Sequence, residues 1–513
     1  MKSAMGWVGL LALVASAHLG CDESSSGGAA GSSASAAPAS SAASAASAAP
    51  SAAGAAADKK LITVTTKSPD AKAAFLKGQD LWDNGRNQEA LAECQKAVAA
   101  DADFALAQAC VGFLTPGTAG QTLLDKAVEL AAKLPDAEKL MIEGWAASRR
   151  ADVAKYDANM KKLAEVASDD FRAHVWAARP AYLHRDFSGA EAEYKKALAL
   201  NPAAGFVYAA LATVQTEEKK YDDALASAKK YVEALPSEPA AQRALGGALL
   251  NLNKATEAEA ALVKAVELGP KVLASYYDLA TVRTILGNFA GARDALDKGK
   301  VADVNASDAI DRRVSTASVS FAEGKDADAL ATLDAAEKDA EAQNLPAAWH
   351  PASTRARALW INGKAADALK VSDAALAKCD GRAQSSGLDK TNCRLTFIRN
   401  KAFAQIALGN VADAQKTVAQ YQGEAKKVAE RAYVQLAAEM LSDAVTAMDK
   451  KDAKGPAALI AKSTPDDIGW KLVILRMADK AGDKATVDQI KKDLAGRPVK
   501  SFDYPLTIKA LKK

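Results

Sequence analysis

Residues 239–270 read PAAQRALGGALLNLNKATEAEAALVKAVELGP, and this stretch decides the fold. Leu245, Gly246 and Leu249 share one face of a first helical pattern. Ala258, Leu262 and Ala265 share one face of a second. Such spacings lay an apolar stripe along each helix. Gly246 and Ala258 are small enough to let the two stripes meet closely. Pro270 cannot continue the second helix but suits the turn after it. The stretch therefore predicts a helical hairpin.

The hairpin recurs. Ala190, Ala224, Ala258 and Ala292 stand 34 residues apart. Gly144, Ala178, Ala212, Gly246 and Ala280 repeat that step, and so do Pro202, Pro236 and Pro270. A period near 34 with this content marks a helix–turn–helix solenoid. A solenoid grows by stacking, so a chain of 513 residues need not divide around separate closed cores.

The pattern resembles the tetratricopeptide repeat, in which a small residue of the first helix meets two alanines of the second and a proline closes the unit. The unit from 239 fills these places with Gly246, Ala258, Ala265 and Pro270, and the unit from 171 with Ala178, Ala190, Ala197 and Pro202. The unit from 205 has Ala212, Ala224 and Pro236, with Tyr231 for the second alanine. The unit from 273 has Ala280, Ala292 and Gly299, without the proline. An opening unit carries Gly78, Gly85, Ala90 and Ala97. Weaker units follow at Gly324 and Ala329, Gly363 and Ala368, and Gly409 and Ala414. VAERAYVQLAAEMLSDAVTAM and DIGWKLVILRMADKAG are amphipathic helical patterns near the end. The resemblance implies an all-α fold, a right-handed α-solenoid (TPR superhelix) of antiparallel hairpins, about 11–12 in number.

The chain divides into a targeting segment over 1–20, a Ser/Ala-rich tether over 21–57, a regular array over 58–306, further repeats over 307–423, and degenerate helical repeats with a tail over 424–513. LITVTTKSP, from Leu61, reads as an isolated extended lead-in, and VKSFDYPLTIKALKK as a non-repeat tail. Gly6 to Leu19, GWVGLLALVASAHL, is a secretory apolar region, too short to span a bilayer comfortably. Gly20 and Cys21 then resemble a bacterial lipobox, with His18 where that motif usually has Leu. The resemblance implies a lipid on Cys21 and a protein anchored in the cell envelope, facing the periplasm, at either membrane. An uncleaved anchor and an ordinary signal peptide are the alternatives. A flexible tether of this length averages roughly 30–35 Å end to end.

Cys21 aside, four cysteines remain. Cys379 and Cys393 bracket a polar loop whose closure by a disulfide would stabilise by about 3 kcal/mol. Cys94 and Cys110 lie on successive helical patterns and read either as a disulfide or as two small buried residues. No Cys/His cluster, P-loop, GxSxG or HExxH occurs, so the chain is expected to be no enzyme and to hold no metal or cofactor. His174, His184 and His350 read as surface or packing residues. Asp169–Asp170 and Asp222–Asp223 read as helix-start carboxylates. Net charge is +3, from 66 basic and 63 acidic residues with no basic stripe, which gives a nucleic-acid partner no support.

The resemblance also implies an inner wall built by the first helices, where a protein or peptide partner would dock. It places Arg172, Val175, Trp176, Arg179 and Tyr182 there, then Phe206, Arg243, Tyr277 and Asp278, with Trp82 in the opening unit. Aromatic residues and Arg are common anchors of binding surfaces; the alternative is that Trp176 and Tyr182 pack on the neighbouring hairpin. Pro180 inside this cluster breaks a local rule, which makes the cluster the best-placed candidate site. The Lys/Asn/Arg clamp that some tetratricopeptide proteins use for acidic C-termini is absent, because the asparagines are missing. A membrane-anchored, protein-binding scaffold of the cell envelope is the leading reading. A glycan- or solute-binding surface lipoprotein is the alternative. Oligomeric state is not legible.

Overall fold

The computed structural model describes residues 59–496, apart from 116, 151, 304, 346–347, 382–386, 430, 453 and 464–467. The targeting segment, Cys21, the tether and the closing tail lie outside the described residues. Those described contain 24 α-helices and no strand. The first eight are α1 (Pro69–Asp83), α2 (Asn87–Ala100), α3 (Ala105–Leu114), α4 (Gly117–Leu130), α5 (Asp136–Arg149), α6 (Val153–Val166), α7 (Phe171–Leu183) and α8 (Phe187–Leu200). Next come α9 (Gly205–Glu217), α10 (Tyr221–Ala234), α11 (Pro239–Asn251), α12 (Ala255–Leu268), α13 (Leu273–Ile285), α14 (Phe289–Lys298), α15 (Ala306–Glu323) and α16 (Asp326–Ala342). The last are α17 (His350–Ile361), α18 (Ala365–Cys379), α19 (Gly387–Leu408), α20 (Val411–Ala425), α21 (Ala432–Asp449), α22 (Gly455–Lys462), α23 (Ile468–Ala481) and α24 (Lys484–Gly496).

Each odd helix packs on the even helix that follows, so the described helices pair as twelve hairpins. Successive odd helices also touch, α9 on α11, α13 on α15, and α17 on α19, and together they form one wall of the solenoid. The ladder of small residues explains the close pairing inside a hairpin. A Cβ added at Gly246 would lie 2.8 Å from Leu262 Cγ, so only Gly fits without repacking. Most turns inside a hairpin hold one residue in the left-handed region. Arg185, Lys219, Asn253 and Gly287 take it at successive steps of 34 residues. At Arg185 and Lys219, with φ of 61° and 62°, this costs about 1–2 kcal/mol.

Asp170 caps α7 by accepting from the Arg172 N–H at 2.9 Å, while Asp222 and Asp223 sit in the first turn of α10. Pro180 lies inside α7 without ending it. Cys94 of α2 is bonded to Cys110 of α3, and Cys379 of α18 to Cys393 of α19. Both bonds are fully buried, and both staple the second helix of one hairpin to the first helix of the next.

The lead-in at 59–67 forms neither helix nor strand, and it is not isolated. It runs across the corners that join the first four hairpins. The Lys60 and Ile62 N–H groups donate to Asp169 and Asp170 at 2.9 and 3.2 Å. Thr63 Oγ1 donates to Glu138 at 2.6 Å, and Thr65 donates to the same carboxylate through both N–H and hydroxyl. Thr66 and Lys67 bond Asp101. Ile62 and Val64 pack against the N-terminal core. Glu138 is fully buried, so the segment supplies the donors that a buried carboxylate requires.

Candidate functional site

The odd helices carry the inner wall, and the first four wind tightly enough to fill it. Trp82 of α1 lies 4.9 Å from Trp145 of α5 and 5.8 Å from Trp176 of α7, between ring centroids. Trp145 and Trp176 are 5.3 Å apart, and Phe113 of α3 joins at 5.2 Å from Trp82. Tilted and edge-on pairs at such distances are favourable ring packings. All four rings are buried. Arg172 of α7 crosses back to α1 and pairs with Asp80 at 2.6 Å and Asp83 at 2.9 Å. Burial pushes the Asp83 carboxyl above the usual range, although Arg172 and Arg179 both act to lower it. The N-terminal hairpins thus close into a turn whose axis is an aromatic core.

The C-terminal end is built on the same plan. Trp360 of α17 lies 5.5 Å from Phe403 of α19, which lies 4.9 Å from Trp470 of α23. The Arg476 guanidinium sits 5.3 Å from the Trp360 ring centroid and donates to the Ile361 carbonyl at 3.0 Å.

Between these ends the inner row becomes small. Steps of 34 residues carry Trp145 to Arg179, then to Thr213 of α9, Gly247 of α11 and Thr281 of α13. The same steps carry Trp176 to Ala210, Ala244 and Asp278. The Thr213 and Thr281 hydroxyls donate to Ala209 O and Tyr277 O of their own helices at 3.0 and 2.8 Å. Their oxygens keep acceptor capacity on the wall.

The residues expected on the wall meet different fates. Trp176 and Trp82 are core residues, so the expectation of groove anchors is corrected: their bulk fills a closed axis. Arg172 is held by Asp80 and Asp83. Arg179 stacks 4.0 Å over the Trp176 ring. Tyr182 packs beside Phe187 at 5.7 Å. Arg243 and Asp278, expected as separate contacts, form an ion pair of 2.7 Å with side chains only 14% and 5% exposed. Val175 is buried. Tyr277 is half-buried and donates to Asp308 O at 3.3 Å. Phe206 remains at an open cleft. That cleft, of about 260 Å³, lies where the end of α1 meets the starts of α7 and α9. Asp80, Asp83, Asn84, Phe171, Arg172 and Phe206 line it, with Leu235 behind them. The acidic pair flanking Trp82 in the sequence signalled this cleft, but its partner Arg172 lies some ninety residues away.

The histidines are engaged in packing and pairing. His174 bonds Glu193 at 2.7 Å and Ser168 O at 3.1 Å, and the Glu193 contact raises its pKa. His184 bonds Asp157 at 2.7 Å. Among the described residues no cluster of His, Cys, Asp and Glu could hold a metal ion, and no helix is long and apolar enough to cross a membrane.

The fold is that of a helical repeat protein, and solved structures similar to it include tetratricopeptide repeat proteins. A tetratricopeptide repeat protein from Parabacteroides merdae is 15% identical over 51% of this chain and 98% of its own, with a TM-score of 0.39. PilF of Pseudomonas aeruginosa is 16% identical over 40% of this chain and 91% of its own, at 0.33. MamA of Desulfovibrio magneticus is 20% identical over 33% of this chain and 97% of its own, at 0.30. No family profile and no curated protein sequence matches the chain.

Proposed function

We propose that the protein is a scaffold that binds a polypeptide partner along the central inner wall, on α9, α11, α13 and the start of α15. One observation carries this reading: the inner row is filled by aromatic rings at both ends and reduced to Thr213, Gly247 and Thr281 between them. Small side chains leave room for another chain, and the Thr213 and Thr281 hydroxyl oxygens offer acceptors to it. A photo-crosslinking residue at Thr281, compared with one at the exposed Lys264 of α12, tests it. A discrete crosslinked protein from Thr281 alone supports the reading. Equal products from both positions contradict it.

We further propose that the scaffold is lipid-anchored at Cys21 and works in the cell envelope on the periplasmic side. The apolar leader, the cysteine after Gly20 and the Ser/Ala-rich tether support this. So do two buried disulfides, which suit an oxidising compartment. Metabolic labelling with a palmitate analogue tests it: label on the intact chain that disappears in Cys21→Ser supports the anchor, and label that persists refutes it. A glycan- or solute-binding role has weaker support, since the buried tryptophans offer no exposed platform.

A further inference from the structure

The cleft beside Phe206 has a chemistry of its own. It lies between the acidic end of α1 and the first turns of α7 and α9, where α9 begins the central wall. Its charged lining is two carboxylates, Asp80 and Asp83, and one guanidinium, Arg172, which leaves one negative charge in excess. Arg172 is held on its inner side by both carboxylates and lies 4.6 Å over the Phe171 ring. Asp80 keeps 71% of its side chain exposed. Asn84 donates through Nδ2 to the Asp80 carbonyl at 2.8 Å, while its Oδ1 is buried and accepts from no donor. Phe171 and Phe206, 6.4 Å apart, form the apolar side together with Leu235. The volume admits one long side chain and is below the usual range of small-molecule pockets, about 300–1,000 Å³.

We infer that this cleft takes a lysine or arginine side chain of the bound polypeptide, its stem along Phe171, Phe206 and Leu235 and its charged head on the exposed Asp80. The inference rests on the polypeptide-binding reading above and adds to it the chemistry of one recognised residue. Long basic side chains suit such a place, because an apolar stem and a charged head are buried differently. The head supplies donors to the outer side of Asp80, and charge-assisted bonds of this kind are the stronger ones.

The test uses the full chain and a random peptide library displayed on phage. The expected result is a selected peptide set with Lys or Arg fixed at one position. Replacing that residue by norleucine in a synthetic peptide should weaken binding about tenfold in wild type. The same replacement should have no effect in Asp80→Asn, whereas Phe206→Ala should weaken both peptides alike and keep the norleucine effect, each variant first checked for unchanged helicity. Asp83 still holds Arg172 in the first variant, and the second leaves both carboxylates in place. Selected peptides indifferent to norleucine, a norleucine effect that persists in Asp80→Asn, or equal binding to wild type and Phe206→Ala would overturn the inference while leaving the groove intact. Peptides whose binding survives Thr213→Trp, or the selection of no peptide at all, would overturn the polypeptide-groove reading and this inference with it.

Discussion

Trp176→Ala separates two accounts of the same residue. As an exposed groove anchor, Trp176 would be lost with little effect on folding. In the structure it is 6% exposed, with Trp145 and Trp82 rings at 5.3 and 5.8 Å and the Arg179 guanidinium at 4.0 Å. Truncating a buried Trp costs about 3–5 kcal/mol, since transfer energy is lost and a cavity remains. The loss should be local, because each repeat of a solenoid chiefly supports its neighbours. Here, however, it should also reach α1, three hairpins away, because Trp176 touches Trp82. Hydrogen exchange read by mass spectrometry is the suitable assay, since a repeat array need not unfold in two states. Amides of α1, α5 and α7 should exchange faster by roughly two to three and a half powers of ten. Those of α11 to α13 should change little. A uniform change below about 1 kcal/mol would refute the aromatic axis.

Three further outcomes follow from particular contacts. Reducing Cys94–Cys110, or replacing both by Ser, should lower the stability of the first two hairpins by about 2–4 kcal/mol, read as a fall in the first melting transition under reductant. His174 has a raised pKa because of its bond to Glu193, so its contribution is complete below the unfolded value, about 6.5, and fades as pH climbs through the folded value. The stability gap between wild type and His174→Gln should therefore narrow from pH 5.5 to pH 8.5, and a gap that widens would contradict the pairing. Lys219→Gly should raise stability by about 0.5–1 kcal/mol in urea titration, because the left-handed turn at φ 62° strains any residue with a Cβ.

The hairpins were legible because they depend on local rules. The small residues at Ala178, Ala212, Gly246 and Ala280 and the exits at Pro202, Pro236 and Pro270 define each unit from within. The site was less legible, because it depends on how far one hairpin rotates on the next. That rotation brings Arg172 to Asp80 and Asp83, and Trp176 to Trp82, and no 34-residue ladder records it. A bulky residue on an inner wall reads equally as a partner's anchor or as the filling of a closed turn. Winding decides between them, and at Trp176 it decided for the core. The lead-in shows the same limit. Its alternation marked an extended segment, but its acceptors Asp101, Glu138 and Asp169 are spread over three corners. The informative feature of the central wall, the smallness of Thr213, Gly247 and Thr281, carries no signal until the bulky rows at the ends are seen to be closed.

Whether a partner sits on the central wall is read by capture of envelope proteins with the whole chain and with a Thr213→Trp/Thr281→Trp variant of equal helicity and melting temperature. A discrete partner should be held by the first and lost by the second, because two indoles would occupy the room that the small row leaves. Capture of the same partner at equal yield by both would show that the central wall is not where this scaffold binds.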